Sequence, residues 1–196
     1  MVPAPEKSMK LIKQVLGEDY LHLEVSTLSL RDDMCGRCNA TVELVNGLTI
    51  QSTGVGQVNA IFNAFKDYYA EEYQSLKTIE LADFSVTINK KGREYIDGTD
   101  APCRVFLEIK NSGGNYFDFV DASHSLLAST GRSVAAVAEF FINSERAYVI
   151  LYRALQDARE RNRQDLVTRY EHELGLVVQN TSYAEVIDKI RKDVGV

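Results

Sequence analysis

Two short clusters in this chain carry residue types that could do chemistry. Cys35 and Cys38 form a Cys-x-x-Cys pair, the spacing of a redox couple or of half a zinc site. A closed zinc site needs four ligands. No second Cys-x-x-Cys or His-x-x-x-His supplies them, and His22, His124 and His172 are scattered. The plainer reading is two thiols at a hairpin between strands. The other cluster is Gly54-Val55-Gly56, just before a helical stretch. Its glycines let the backbone approach a ligand closely and reach φ > 0. The first N–H groups of the helix that follows suit an anion. The plainer reading is a tight strand-to-helix turn. Signs of catalysis are missing: there is no Gly-x-Ser-x-Gly, no P-loop and no dinucleotide fingerprint. Asp32-Asp33 and Asp97…Asp100 fall in turns, where Asp is commonly solvated. Tyr68, Tyr69 and Tyr73 form an aromatic cluster suited to a core or an interface. We expect no catalytic residue, no bound metal and no cofactor.

The elements that hold these clusters occur twice. Residues 38–65 read CNATVELVNGLTIQSTGVGQVNAIFNAF and residues 103–130 read CRVFLEIKNSGGNYFDFVDASHSLLAST. Each has a strand-like run, a turn at Asn-Gly or Ser-Gly-Gly, a second strand-like run, a polar break and a helix rich in small residues. Such repetition predicts two halves related by a pseudo-two-fold axis, with ligand sites where halves or chains meet. At 196 residues the chain is one domain, with or without an appendage, and can bury a sizeable core. Its net charge of −6 argues against nucleic acid as the main partner. No apolar run of about 18 residues is present to span a membrane, and the first residues, MVPAPEKSMKLIKQ, lack a secretory h-region. A cytoplasmic protein is therefore expected.

Along the chain, residues 5–16 have helical spacing, with Met9, Ile12, Val15 and Leu16 on one side and Gly17 as the stop. Residues 20–30 alternate as a half-buried strand. Asn46-Gly47 is a strong hairpin signal, and residues 57–73 read as a helix through Val58, Ile61, Phe62, Phe65 and Tyr69. The second half starts at residue 78 with another alternating strand carrying Ile79, Leu81 and Phe84. A turn-rich loop, KGREYIDGTDAP, leads to a hairpin across Ser112-Gly113-Gly114. A helix is expected from about Ala122, broken or kinked near Gly131. Residues 133–171 follow as one or two long helices with a charged later part, and residues 181–193 as a last helix behind a Ser182-x-x-Glu185 capping box. The predicted fold class is α+β. It comprises two βββα units, about 20–76 and 77–160, with a helix over 1–19 and a helical extension over 161–196.

Four pieces, in this order and spacing, resemble the C-terminal allosteric (dimerisation) domain of α-isopropylmalate synthases and the related citramalate synthases. They are STGVGQVNAIFNAF, ELADFSVTIN, GTDAPCRVFLEIK and DFVDAS, and the resemblance covers about residues 20–155. It implies two βββα units that bind the end-product amino acid, leucine or isoleucine, near a dimer interface. The catalytic barrel of such synthases needs about 250 residues, more than this chain has. The resemblance therefore implies a regulatory domain without its barrel. Met1 and the distinct C-terminal helix favour a free-standing protein over an excised fragment. Gln57 stands where the family usually has proline, and Asn59 where it has aspartate.

An amino acid zwitterion needs an anion site, a carbonyl or carboxylate for the ammonium, and an apolar slot. On the resemblance, Gly54, Val55, Gly56, Gln57, Val58, Asn59 and Ala60 form the first loop of an effector site. Asp118, Val120, Asp121, Ala122 and Ser123 form the second, with Asp118 and Asp121 holding the ammonium and Val55, Val58 and Val120 forming the slot. Asp121 could equally be a simple N-cap. The partners implied are a branched-chain amino acid, a second copy of the chain and a catalytic synthase regulated in trans. The alternative is a structural dimerisation or partner-binding protein that has lost the effector site.

Overall fold

In a computed structural model, residues 4–88, 102–178 and 180 are described. The predicted repeat is the architecture. Helix α1 (Ala4–Leu16) precedes a first unit of β1 (Val25–Asp32), β2 (Arg37–Leu44), β3 (Thr49–Val55) and α2 (Gln57–Tyr69). The second unit is β4 (Glu80–Ile88), β5 (Cys103–Lys110), β6 (Tyr116–Ser123) and α3 (Leu126–Glu160), followed by α4 (Gln164–Val178). Each unit is a three-stranded antiparallel meander, in the orders β1-β2-β3 and β4-β5-β6.

Alternation decides which face each sheet buries. Cys38, Ala40, Val42 and Leu44 of β2 point into the core, as do Cys103, Val105, Leu107 and Ile109 of β5. The first strand of each unit slips register at the same place, between Val25 and Thr27 and between Leu81 and Asp83. That slip explains why Leu81 and Phe84, three apart, both pack on the core. Asn46-Gly47 turns the first hairpin: Gly47 sits at φ +86° and Asn46 Oδ1 accepts from the Leu48 N–H at 3.0 Å.

Helix α2 lies on β2 and β3, and α3 lies on β5 and β6 while also touching β1 and α2. Between them, Phe65, Phe140, Phe141, Ile61, Leu107 and Ile109 are wholly enclosed. Phe117 meets Phe141 edge-on, with ring centroids 5.4 Å apart. The later part of α3 carries a smaller core with α4 through Tyr148, Leu151, Leu155, Val167, Leu174 and Val177, against which Leu11 and Val15 of α1 rest.

Three side chains of α3 tie down the connecting segments. Asn143 exchanges hydrogen bonds with the backbone of Leu21, at 2.9 and 2.7 Å, and Glu139 accepts from the Leu23 N–H at 2.9 Å. Buried Glu145 accepts from the backbone N–H groups of Gln74 and Ser75 at 3.3 and 2.8 Å, capping the 3-10 turn at Gln74–Thr78.

Several boundaries differ from the sequence reading. The first strand begins at Val25 rather than residue 20, because residues 21–23 bond to α3 side chains instead of a neighbouring strand. Helix α2 ends at Tyr69 rather than residue 73. Strand β6 runs to Ser123, so α3 starts at Leu126 and not at Ala122. Helix α3 passes through Gly131 without a break. A Cβ there would lie 3.0 Å from Leu28 Cδ2, so the glycine lets the helix sit close on β1. The long charged segment divides at Arg161–Arg163, where Asn162 takes φ +54°. The Gly98-Thr99-Asp100-Ala101 motif, Asp97 and the helix expected over 181–193 lie outside the described residues.

Candidate ligand site

The two strand-to-helix junctions place the residues that the sequence singles out. At the first, alternation along β3 turns Gly54 toward α2 and leaves Val55 84% exposed. A Cβ on Gly54 would come within 2.4 Å of the Ala60 backbone nitrogen and 2.6 Å of Asn59 Oδ1, so only glycine lets the helix start this close to the strand. Gly56 is the N-cap of α2, with φ +75° and open space where a side chain would stand. Its N–H donates to the Gly36 carbonyl at 3.1 Å, which joins this junction to the β1–β2 turn.

No side chain caps α2. The N–H groups of its first turn, Gln57, Val58 and Asn59, have no acceptor within the helix. Val58 packs partly against the core and Ala60 is enclosed. The junction opens on a cavity of about 660 Å³ lined by Cys35, Gly36, Arg37, Thr53, Gly54, Val55, Asn59 and Asn63. Asn63 Nδ2 donates both to the Thr53 carbonyl at 2.9 Å and to Asn59 Oδ1 at 3.1 Å.

The turn beneath the cavity is self-contained. Asp33 Oδ1 accepts from the N–H groups of Cys35 and Arg37 at 2.9 and 3.0 Å, and Asp32 Oδ1 accepts from the Met34 N–H at 2.9 Å. The bonds from Cys35 and Arg37 hold the Asp33 carboxyl below the usual range. Cys35 is exposed. Cys38 is buried in β2, where desolvation pushes its thiol up. Among the described residues no group of three His, Cys, Asp or Glu is placed to hold a metal ion.

The second junction is built differently. Asp118 and Asp121 lie within β6 rather than in a turn, and three positions apart on a strand they point to opposite faces. Asp118, Val120 and Ala122 are on the outer face. Asp121 and Ser123 face the helix side. Asp121 accepts two hydrogen bonds from Arg132 on α3, at 3.2 and 2.7 Å, and this guanidinium holds its carboxyl below the usual range. It is not the N-cap: Ser125 is, accepting from the Ala128 N–H at 3.2 Å. Ser123 Oγ and Ser129 Oγ are 2.8 Å apart. A second cavity of about 610 Å³ lies here, lined by Thr87, Ile88, Pro102, Cys103, Arg104, Val120, Asp121 and Ala122. Within one chain, then, the two predicted loops line separate cavities, and the Asp118 carboxylate lines neither.

A family model for the LeuA allosteric (dimerisation) domain matches residues 4–141. The chain belongs to that family. No curated protein sequence matches it in addition. The match places both βββα junctions of this LeuA-type chain, and both cavities, inside the family's regulatory dimerisation domain. The later half of α3 and all of α4 lie beyond it. No described helix of the LeuA-type chain is long and apolar enough to cross a membrane.

Arg37 and Asn63, with Gly36 and Thr53, line the first cavity and were missed by sequence reasoning. For Arg37 the hairpin gave a near signal: a two-residue turn at Asn46-Gly47 would set it opposite Gly56, and the three-residue loop 45–47 pairs it with Val55 instead. Asn63 follows Asn59 by one helical turn and could have been read from that spacing.

Proposed function

We propose that this chain is a cytoplasmic, homodimeric regulatory domain that binds a branched-chain amino acid, leucine or isoleucine. It would exert feedback control on a 2-isopropylmalate or citramalate synthase supplied in trans. The observation that carries the reading is the uncapped start of α2, beside which Gly54, Val55 and Asn59 line a cavity of about 660 Å³. An effector carboxylate would meet the free N–H groups of Gln57, Val58 and Asn59 and the positive end of the helix. Val55, exposed at the mouth, would meet the apolar side chain. To regulate, the effector must bind one conformational state better than another.

The test is calorimetric titration with leucine and then isoleucine, beside a Gly56→Asp variant. Saturable binding by the parent, lost when a carboxylate occupies the helix start, is the expected result. Effector at about 100 times its dissociation constant should also add roughly 2.7 kcal/mol of stability. A second reading, a dimerisation module with no effector, is favoured by one fact: packing against Ala60 and Asn59 already accounts for Gly54. A folded dimer that binds neither amino acid would select it.

A further inference from the structure

The outer faces of the two sheets differ. Across the middle of the first, Ser29, Thr41 and Gln51 stand side by side, hydroxyl and amide groups suited to water. Across the middle of the second stand Ser85, Phe106 and Val120. Phe106 points away from the core that Val105 and Leu107 enter, and Val120 is 45% exposed. The rows on either side of this one are opposite in charge. Arg104, two residues before Phe106 on β5, lies between Thr87 and Ala122. Glu108, two residues after it, lies between Asp83 and Asp118, so three carboxylates share one cross-strand row and repel one another. Lys110, next along β5, is held over the Tyr116 ring, 5.9 Å from its centroid. The run Arg104-x-Phe106-x-Glu108 is therefore complementary to itself when reversed about Phe106.

We propose that two copies of the chain meet on this face, stacked sheet on sheet about a two-fold axis along the Ser85–Phe106–Val120 row, with Arg104 of each protomer facing the partner's Glu108. The inference rests on the homodimer of the preceding reading and adds its surface and register. The family match, to a dimerisation domain, makes a second copy the occupant. An axis across the strands reverses them, so the middle row meets itself and the Arg104 row meets the carboxylate row. Phe106 and Val120 then leave water, and each guanidinium offsets the repulsion among the carboxylates. Arg104 and Glu108 of one chain cannot pair with each other, being four residues apart on a strand, about 13 Å. Strands about eight residues long and three abreast give a footprint of roughly 14 by 26 Å. That is the small end of specific interfaces, so the dimer should dissociate in the micromolar range.

The experiment is sedimentation velocity of the intact chain over a concentration series, with circular dichroism to show each chain folded. Arg104→Glu and Glu108→Arg should each raise the dimer Kd about 30-fold, since each turns two attractive contacts into repulsive ones. An equimolar mixture of these two variants should form a heterodimer with a Kd within about 3-fold of the parent's, because every contact again joins opposite charges. Val120→Lys, at an exposed position beside the axis, should weaken the dimer at least about 10-fold. Gln51→Lys, at the equivalent place on the first sheet, should leave it unchanged. A dimer indifferent to Val120→Lys and to both charge reversals would overturn the inference and leave the homodimer standing on another face. So would folded variants that fail to pair when mixed. A folded parent that stays monomeric at every concentration would overturn the homodimer as well.

Discussion

The two βββα units share a topology and differ at the junction where strand turns into helix. In the first, β3 reaches α2 through Gly54 and Gly56, the helix has no side-chain cap, and an asparagine pair bridges helix and strand. In the second, Ser123 stands where Gly54 does, Ser125 caps α3, and an ion pair replaces the asparagines. Only the second junction caps its helix start with a side chain; in the first, the N–H groups of Gln57, Val58 and Asn59 have no acceptor within the helix. The helix-start donors of the first stay unpaired, while Ser125 takes up one of the second's. The lesson is that a repeated fold need not be a repeated site: the polar groups that a ligand would use in one copy are consumed internally in the other.

The comparison can be broken most forcefully at Gly54. Gly54→Val should destabilise the chain by about 3 kcal/mol in urea unfolding, since the new Cβ meets backbone and not a movable side chain. Ser123→Ala, at the equivalent place, should cost no more than about 1 kcal/mol for the lost hydroxyl bonds. A similar loss from both would mean that the junctions are built alike. Next in size, Glu145→Ala should cost about 1–3 kcal/mol by leaving the Gln74 and Ser75 N–H groups unpaired beside α3. This contact serves the link between the units, and Glu145 is not among the residues lining the cavity beside α2.

Ser125→Ala should cost about 1 kcal/mol by thermal melting, the usual worth of an N-cap. The first junction, already uncapped, has no such loss to suffer. The smallest effect should come from Asp121→Asn, below about 1 kcal/mol at neutral pH because the pair with Arg132 is partly solvated. Its sign with pH is fixed. The folded carboxyl lies below its unfolded value, so the stability it adds is present above the unfolded pKa and is lost as pH falls through the folded one. Melting curves of parent and variant should separate at pH 7 and converge in acid, below about pH 4. A difference that grows on acidification would show that Arg132 is not the partner that matters.

Much of this was legible along the chain. The Asn46-Gly47 hairpin, the alternation in β2 and β5 and the helical spacing of Val58, Ile61, Phe62 and Phe65 all act over a few residues, and the structure keeps them. Gly131 was not legible as mid-helix. Its low helix propensity costs about 1 kcal/mol, and burial of the surrounding α3 against β1 outweighs that. The role of Asp121 was not legible either. Its face depends on where β6 ends, and its partner Arg132 lies on the next element.

Local pattern, acting through hydrogen-bond geometry and the burial of one face, fixed the number of strands, their pairing into hairpins and the doubling of the unit. Which polar groups stay free is a different kind of question. It depends on contacts between residues far apart in sequence, such as Gly56 with Gly36 or Asn143 with Leu21. A donor is available to a ligand only when every neighbour brought in by packing has left it unpaired, and that is decided when the helices close over the sheets.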